Sequence, residues 1–103
     1  MTKYASGRNQ EWIVKRRLID AGAFLVTRSA GSKGAADLVA FFDTATYAIQ
    51  VKRAKPTAAE QADIVIASSK TAATWAVVWS HRGEIESWVY RAGRESKLRV
   101  PGL

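Results

Sequence analysis

The sequence predicts a small α/β domain in which one mixed sheet carries a helix on each face. Three observations predict it. Segments of helical and strand periodicity follow in the order helix, three strands, helix, two strands. The run Leu38-Val39-Ala40-Phe41-Phe42 is apolar at every position, the pattern of a central strand buried on both sides. Pro56 followed by Thr57-Ala58-Ala59-Glu60 has the T-x-x-E spacing of a capping box, which marks the start of the second helix.

The first helix is predicted over 9–21. Val14, Leu18 and Ala21 recur at helical spacing, Trp12 and Ile19 flank them, and Gly22 is a natural stop. Trp12 is expected to pack in the core, with stacking near DNA as the alternative. A short strand over 24–28 leads into the glycine-rich turn Ser29-Ala30-Gly31-Ser32-Lys33-Gly34, where the backbone can approach a ligand closely. Strands over 36–42 and 46–52 are joined by a tight turn near Asp43-Thr44-Ala45. The second helix runs to about Lys70, and strands over 74–80 and 85–90 form a hairpin around His81-Arg82-Gly83-Glu84.

The 103 residues make one domain, residues 1–103, since a single core organises roughly 100–150 residues. An apolar share of 48% supports a packed core. No apolar run approaches the ~20 residues that span a bilayer, and Met1-Thr2-Lys3-Tyr4-Ala5 lacks the apolar stretch of a signal peptide. The absence of cysteine excludes disulfides and thiolate metal sites. A soluble, cytoplasmic protein with no membrane partner is the expectation. The formal charge of +7 and a pI near 10.2 point to a polyanionic partner, and nucleic acid is the commonest polyanion in a cell.

Strand alternation puts Gln50 and Lys52 on one side of the third strand, with Ile49 and Val51 on the other. If the second and third strands pair antiparallel, Asp37 at the start of one lies beside Gln50 and Lys52 at the end of the other. A carboxylate, an amide oxygen and an ammonium gathered at one sheet edge can hold a divalent metal and a scissile phosphate. Asp37 and Lys52 as a plain structural ion pair is the competing reading. Glu11 shares a helix face with Val14 and Leu18, which aims it toward the sheet. It also suits the helix dipole and an i,i+4 pair with Lys15, a contribution of ~0.3 kcal/mol.

Glu11, then Arg28-Ser29-Ala30-Gly31-Ser32-Lys33-Gly34-Ala35-Ala36-Asp37-Leu38-Val39-Ala40, then Ile49-Gln50-Val51-Lys52-Arg53, resembles the archaeal-type Holliday-junction resolvases of the PD-(D/E)xK nuclease superfamily. The motif resemblance covers residues 7–53. It implies a restriction-endonuclease-like α/β fold of αβββαββ order, with a central mixed sheet flanked by helices. It also implies an Mg²⁺-dependent endonuclease, with Mn²⁺ as a possible substitute, that cuts four-way DNA junctions. On that resemblance Asp37 is the central metal-binding carboxylate and Lys52 positions or polarises the attacking water. Glu11 completes the metal site, and Gln50 and the Val51 carbonyl are further ligands. Arg8, Arg28, Ser29, Ser32, Lys33 and Arg53 meet the DNA. Paired cuts in a two-fold junction imply a homodimer, because a chain this small offers one site.

The sequence departs from the family's pattern at two of these places. Gln50 stands where most relatives carry Glu, so the amide oxygen can coordinate Mg²⁺ but brings no charge; Q-x-K is similar to the version in Mrr-type nucleases. Trp12 stands where the family often has Arg. The rival expectations are an Mrr-like or nicking endonuclease and a catalytically silent DNA-binding module. Trp75 and Trp79 alternate with Val77 and are assigned to core or dimer packing, and His81 to a solvated turn. Arg91, Arg94, Lys97 and Arg99 are read as a basic tail, either touching phosphate or solvated.

Overall fold

A computed structural model describes residues 3–28 and 36–103, with side chains from residue 10 onward. It contains helices α1 (Lys3–Asp20) and α2 (Ala58–Ser69) and the strands β1 (Leu25–Arg28), β2 (Leu38–Phe41), β3 (Thr46–Lys52), β4 (Thr74–His81), β5 (Glu84–Arg91) and β6 (Arg94–Ser96). The strands form one sheet in sequential order, β1-β2-β3-β4-β5-β6. Every pairing is antiparallel except β3 with β4, which run parallel. Parallel neighbours need a crossover, and α2 supplies it. The expected order is observed with one short strand more.

The sheet is buried on both faces. Val14 and Leu18 of α1 pack with Leu38, Ala40, Ile49, Ala76, Val78 and Val89 on one face. Ile64 of α2 packs with Ala48, Trp75, Val77, Trp79 and Tyr90 on the other. Alternation along β4 sends successive residues to the two clusters, which is why it reads as a nearly continuous apolar run. Trp75 and Trp79 therefore belong to the core of this chain. The Trp75 indole donates to Thr71 Oγ1 at 2.6 Å, satisfying its buried N–H.

The ends of the elements follow local chemistry. Gly22, at φ +114°, closes α1 with Gly22 N–H bonded to the Ile19 carbonyl and Ala23 N–H to the Leu18 carbonyl, a Schellman motif. In α2 the Thr57 hydroxyl accepts from Glu60 N–H while the Glu60 carboxylate accepts from Thr57 N–H, completing the capping box. Arg82 and Gly83, both at positive φ, make the tight turn between β4 and β5, and Ala92 and Gly93 repeat it between β5 and β6.

Three expectations are corrected. Helix α1 begins at Lys3, ahead of residue 9, because the preceding stretch has no apolar stripe by which to read it. Trp12 is 62% exposed and outside the core: it stands two residues, about 200°, from Val14 on the helix and so points away from the buried stripe. The C-terminal basic run is not a tail. Arg91 and Arg94 flank the β5–β6 turn, and beyond Lys97 and Arg99 the buried Val100 and the half-buried Leu103 return to the α1 cluster.

Candidate functional site

The antiparallel register Leu38↔Ile49, extended by one residue, sets Asp37 opposite Gln50 at the end of the central strands. Asp37 N–H donates to the Ile49 carbonyl at 2.8 Å, and Asp37 Oδ2 accepts from Val51 N–H at 2.8 Å. The carboxylate is thus fixed in the place of a ladder acceptor, held by the backbone of the residue that the resemblance marks as a ligand. Ile49 and Val51 turn into the α1 cluster, so Gln50 and Lys52 lie with Ala48 on the α2 face.

Gln50 Oε1 is buried and has no hydrogen-bond partner among the described residues. A buried acceptor without a donor costs about 1–3 kcal/mol, so such an atom calls for an explanation. Beside Asp37, an unsatisfied amide oxygen is the donor type a hard divalent cation takes. Asp37 and Gln50 are thus residues that could hold such an ion.

Lys52 ends β3 with its side chain 29% exposed, and its Nζ forms an ion pair with Glu60 Oε2. Glu60 therefore works with both oxygens, Oε1 on the Thr57 N–H at 3.0 Å and Oε2 on the ammonium. The hydrogen bond from Lys52 and then that from the Thr57 backbone lower its pKa from 4.5 to about 2. The sequence assigned Glu60 to the cap alone. The crossover topology carried the missing signal, because a helix that leaves the carboxyl end of a parallel strand starts at that same end. A first-turn side chain of α2 is thereby placed within reach of Lys52.

The remaining acid lies across the sheet. Glu11 pairs with Arg28 through Nε–Oε1 at 3.2 Å, and Arg28 stands opposite Leu38 on the α1 face. Glu11, Trp12, Lys15, Arg28 and Leu38 line one recess, and the Arg16 guanidinium lies over the Trp12 ring at 5.6 Å. The structure thus sets Asp37, Gln50 and Lys52 on one side, with Asp37 bonded to the Val51 backbone, and Glu11 and Arg28 together on the other. Among the described residues no cluster of three acidic, histidine or cysteine side chains could hold a metal. Arg53 follows Lys52 and is exposed. Arg8 lies within α1, with its side chain outside the described set, and Ser29, Ser32 and Lys33 lie outside the described residues. No helix among the described residues is long and apolar enough to cross a membrane.

The order of elements, the mixed sheet and the helix on each face define a restriction-endonuclease-like α/β fold. The architecture is similar to that of Hjc, a Holliday junction resolvase from the archaeal hyperthermophile Archaeoglobus fulgidus. The TM-score is 0.62 at 23% sequence identity, over 84% of this chain and 73% of that one. No family model and no curated protein matches the sequence.

Proposed function

We propose that the chain is a metal-dependent endonuclease that resolves four-way DNA junctions by paired symmetric nicks, acting as a homodimer. The observation that carries the reading is the meeting of Asp37, Gln50 and Lys52 at one end of the central strands of a resolvase-like fold. Asp37 and Gln50 would hold Mg²⁺, with Mn²⁺ as a substitute. The bound ion would supply a polarised water and neutralise charge on the phosphate. Lys52, held by its acidic partner Glu60, would orient the scissile phosphate and stabilise charge developing on its oxygens. Glu11 lies across the sheet in its pair with Arg28 and is not counted among those ligands. Arg28, Arg53, Arg8 and the segment bearing Ser29, Ser32 and Lys33 would meet the DNA backbone, in keeping with a net charge of +7.

A second reading has an observation in its favour. Gln50 stands where a carboxylate would bring charge to the site, and Glu11 is committed to Arg28. A DNA-binding module that kept the fold without the chemistry would look like this.

The deciding experiment compares an immobile four-way junction with a linear duplex of the same sequence, in Mg²⁺, Mn²⁺ and EDTA. Symmetric nicks in the junction alone, abolished by EDTA, are expected. Equal cutting of both substrates would make it a general endonuclease. Tight junction binding without cleavage would favour the silent module. Gln50→Glu adds a readout independent of cleavage: Mg²⁺ should raise its melting temperature more than that of wild type, because a ligand that binds only the folded state stabilises it.

A further inference from the structure

We propose that Glu60 is a positioning residue of the candidate site, fixing the Lys52 ammonium through the same carboxylate that caps α2. The inference rests on the nuclease reading above and adds to it a residue that lies outside the D…QxK motif.

The argument begins with what an unrestrained lysine would do. Its four-carbon stem has many rotamers, and Lys52 is the last residue of its strand, at the margin of the sheet. An ammonium that stabilises a phosphate must occupy one place. Glu60 can define that place because it is itself immobilised. Its Oε1 accepts from Thr57 N–H at 3.0 Å, and its own N–H donates to Thr57 Oγ1 at 3.2 Å. Thr57 is in turn tied to the helix, its carbonyl accepting from Gln61 N–H at 2.9 Å.

Helix α2 is not free to drift. Ile64 is fully buried among Ala48, Val77 and Trp79 on the sheet. Two further bonds hold the helix at other points. Gln61 Nε2 donates to the Tyr90 hydroxyl at 2.7 Å, and Ser68 Oγ accepts from Gly93 N–H at 3.0 Å. An unbroken set of contacts therefore runs from the packed face of α2, through the capping box, to the tip of Lys52.

The charge arrangement points the same way. With Gln50 neutral, Asp37 is the one carboxylate set beside Gln50 and Lys52 in the strand register. Glu60 supplies the counter-charge that holds the ammonium, while Asp37 stays bound to the Val51 N–H. A half-exposed ion pair contributes little to stability, so the consequence of this one is where the lysine sits.

The capping box makes the proposal testable, because Glu and Gln both serve at the third helical position. Glu60→Gln keeps an oxygen for the Thr57 N–H and removes the charge that Lys52 sees. The experiment measures single-turnover cleavage of a four-way junction in Mg²⁺, junction affinity in EDTA, and urea unfolding at neutral pH. The chains are wild type, Glu60→Gln, Glu60→Asp, Lys52→Ala and Lys52→Ala with Glu60→Gln. Glu60→Gln should slow the cleavage step by about 100-fold, the scale of a misplaced reacting group, without weakening junction affinity or stopping the fold from forming. Glu60→Asp should recover part of the loss. On the Lys52→Ala background Glu60→Gln should cost nothing further, the signature of a residue that acts through another.

The Lys52 ammonium proton signal, followed by nitrogen-edited NMR, should be slow to exchange in wild type and lost in Glu60→Gln. Cleavage by Glu60→Gln at the wild-type rate, or a full additional loss on top of Lys52→Ala, would overturn the positioning role and leave the nuclease reading standing. A wild-type chain that cuts no substrate while Lys52 remains tethered would overturn the nuclease reading, and the positioning role of Glu60 with it.

Discussion

The two faces of the sheet hold their charges by different means. On the α2 face Lys52 meets a carboxylate that a helix start has already fixed on its other oxygen. On the α1 face Arg28 meets Glu11 directly, and 66% of the arginine side chain is exposed. The first arrangement is rigid because local backbone geometry supports it. The second has only the pair itself, and exposed pairs contribute about 0–1 kcal/mol, so a DNA phosphate can compete with Glu11 for Arg28. On the proposed function the comparison implies a division of labour: the α2 face would serve chemistry, the α1 face exchange of partners.

The largest effect expected from this division is on Lys52. Lys52→Ala should lower single-turnover cleavage by about 10²–10³-fold, the usual result of deleting a group that stabilises transition-state charge. Junction affinity measured in EDTA should change little. A variant that cuts normally, or that loses mainly affinity, would move Lys52 into the same class as Arg28 and erase the contrast.

Stability gives the next largest effect, and it tests the α1 face. Gly102 has φ +88°, and a Cβ there would lie 2.5 Å from the Arg17 carbonyl oxygen and 3.0 Å from the Ala21 Cβ. The segment bearing Val100 and Leu103 thus packs against the end of α1 so closely that only glycine fits. Gly102→Ala should destabilise the fold by about 1–3 kcal/mol, from strain at positive φ and the clash with backbone, as read by urea unfolding. An unchanged midpoint would mean that the C-terminal segment rests on α1 without supporting it.

That segment also marks where the sequence stops being legible. The α2 face could be read residue by residue: Thr57 and Glu60 announced the cap, the buried run announced the strand, and antiparallel pairing placed Asp37 beside Gln50. Each of these is a local signal or a single pairing step. The α1 face depends on contacts distant in sequence. Nothing near residue 100 says that Val100 will return to Val14 and Leu18, and the arginine-rich flanks read as a basic tail, phosphate-touching or solvated. Trp12 stands outside the core because its phase on the helix turns it away from the Val14–Leu18 stripe. Glu60 was half read, since its cap is local but its ion pair depends on the crossover. The Glu11–Arg28 pair joins two residues singled out separately, and only the packing of α1 on β1 shows that they neutralise each other.

Arg28→Ala sharpens the comparison from the binding side. If Arg28 exchanges Glu11 for a phosphate, its loss should weaken junction binding across all sequences. It should also lower the slope of log affinity against log salt by about 1. Cleavage per bound complex should be unaffected in single-turnover conditions. A slope equal to that of wild type would show that the guanidinium stays with Glu11 when DNA binds.

The smallest effect is the dependence of stability on pH at Glu60, and its sign follows from the direction of the shift. The carboxyl group has a folded pKa of about 2, below the ordinary value of 4.5 it has when unfolded. A depressed carboxylate contributes stability that is fully present above the unfolded value and is lost as pH falls toward the folded one. The difference in urea midpoint between wild type and Glu60→Gln should therefore be level from neutral pH down to about 5. It should shrink between 4.5 and 2, and disappear below that. High salt should reduce the same difference, because both partners are partly exposed and their attraction is screened. Arg28 provides the contrast: its exposed contact with Glu11 is not pinned by a cap, so Arg28→Ala should alter stability little at any pH in this window. A midpoint difference that persisted below pH 2 in Glu60→Gln would assign the loss to the capping bond instead of the charge, and Lys52 would then be held by something other than Glu60.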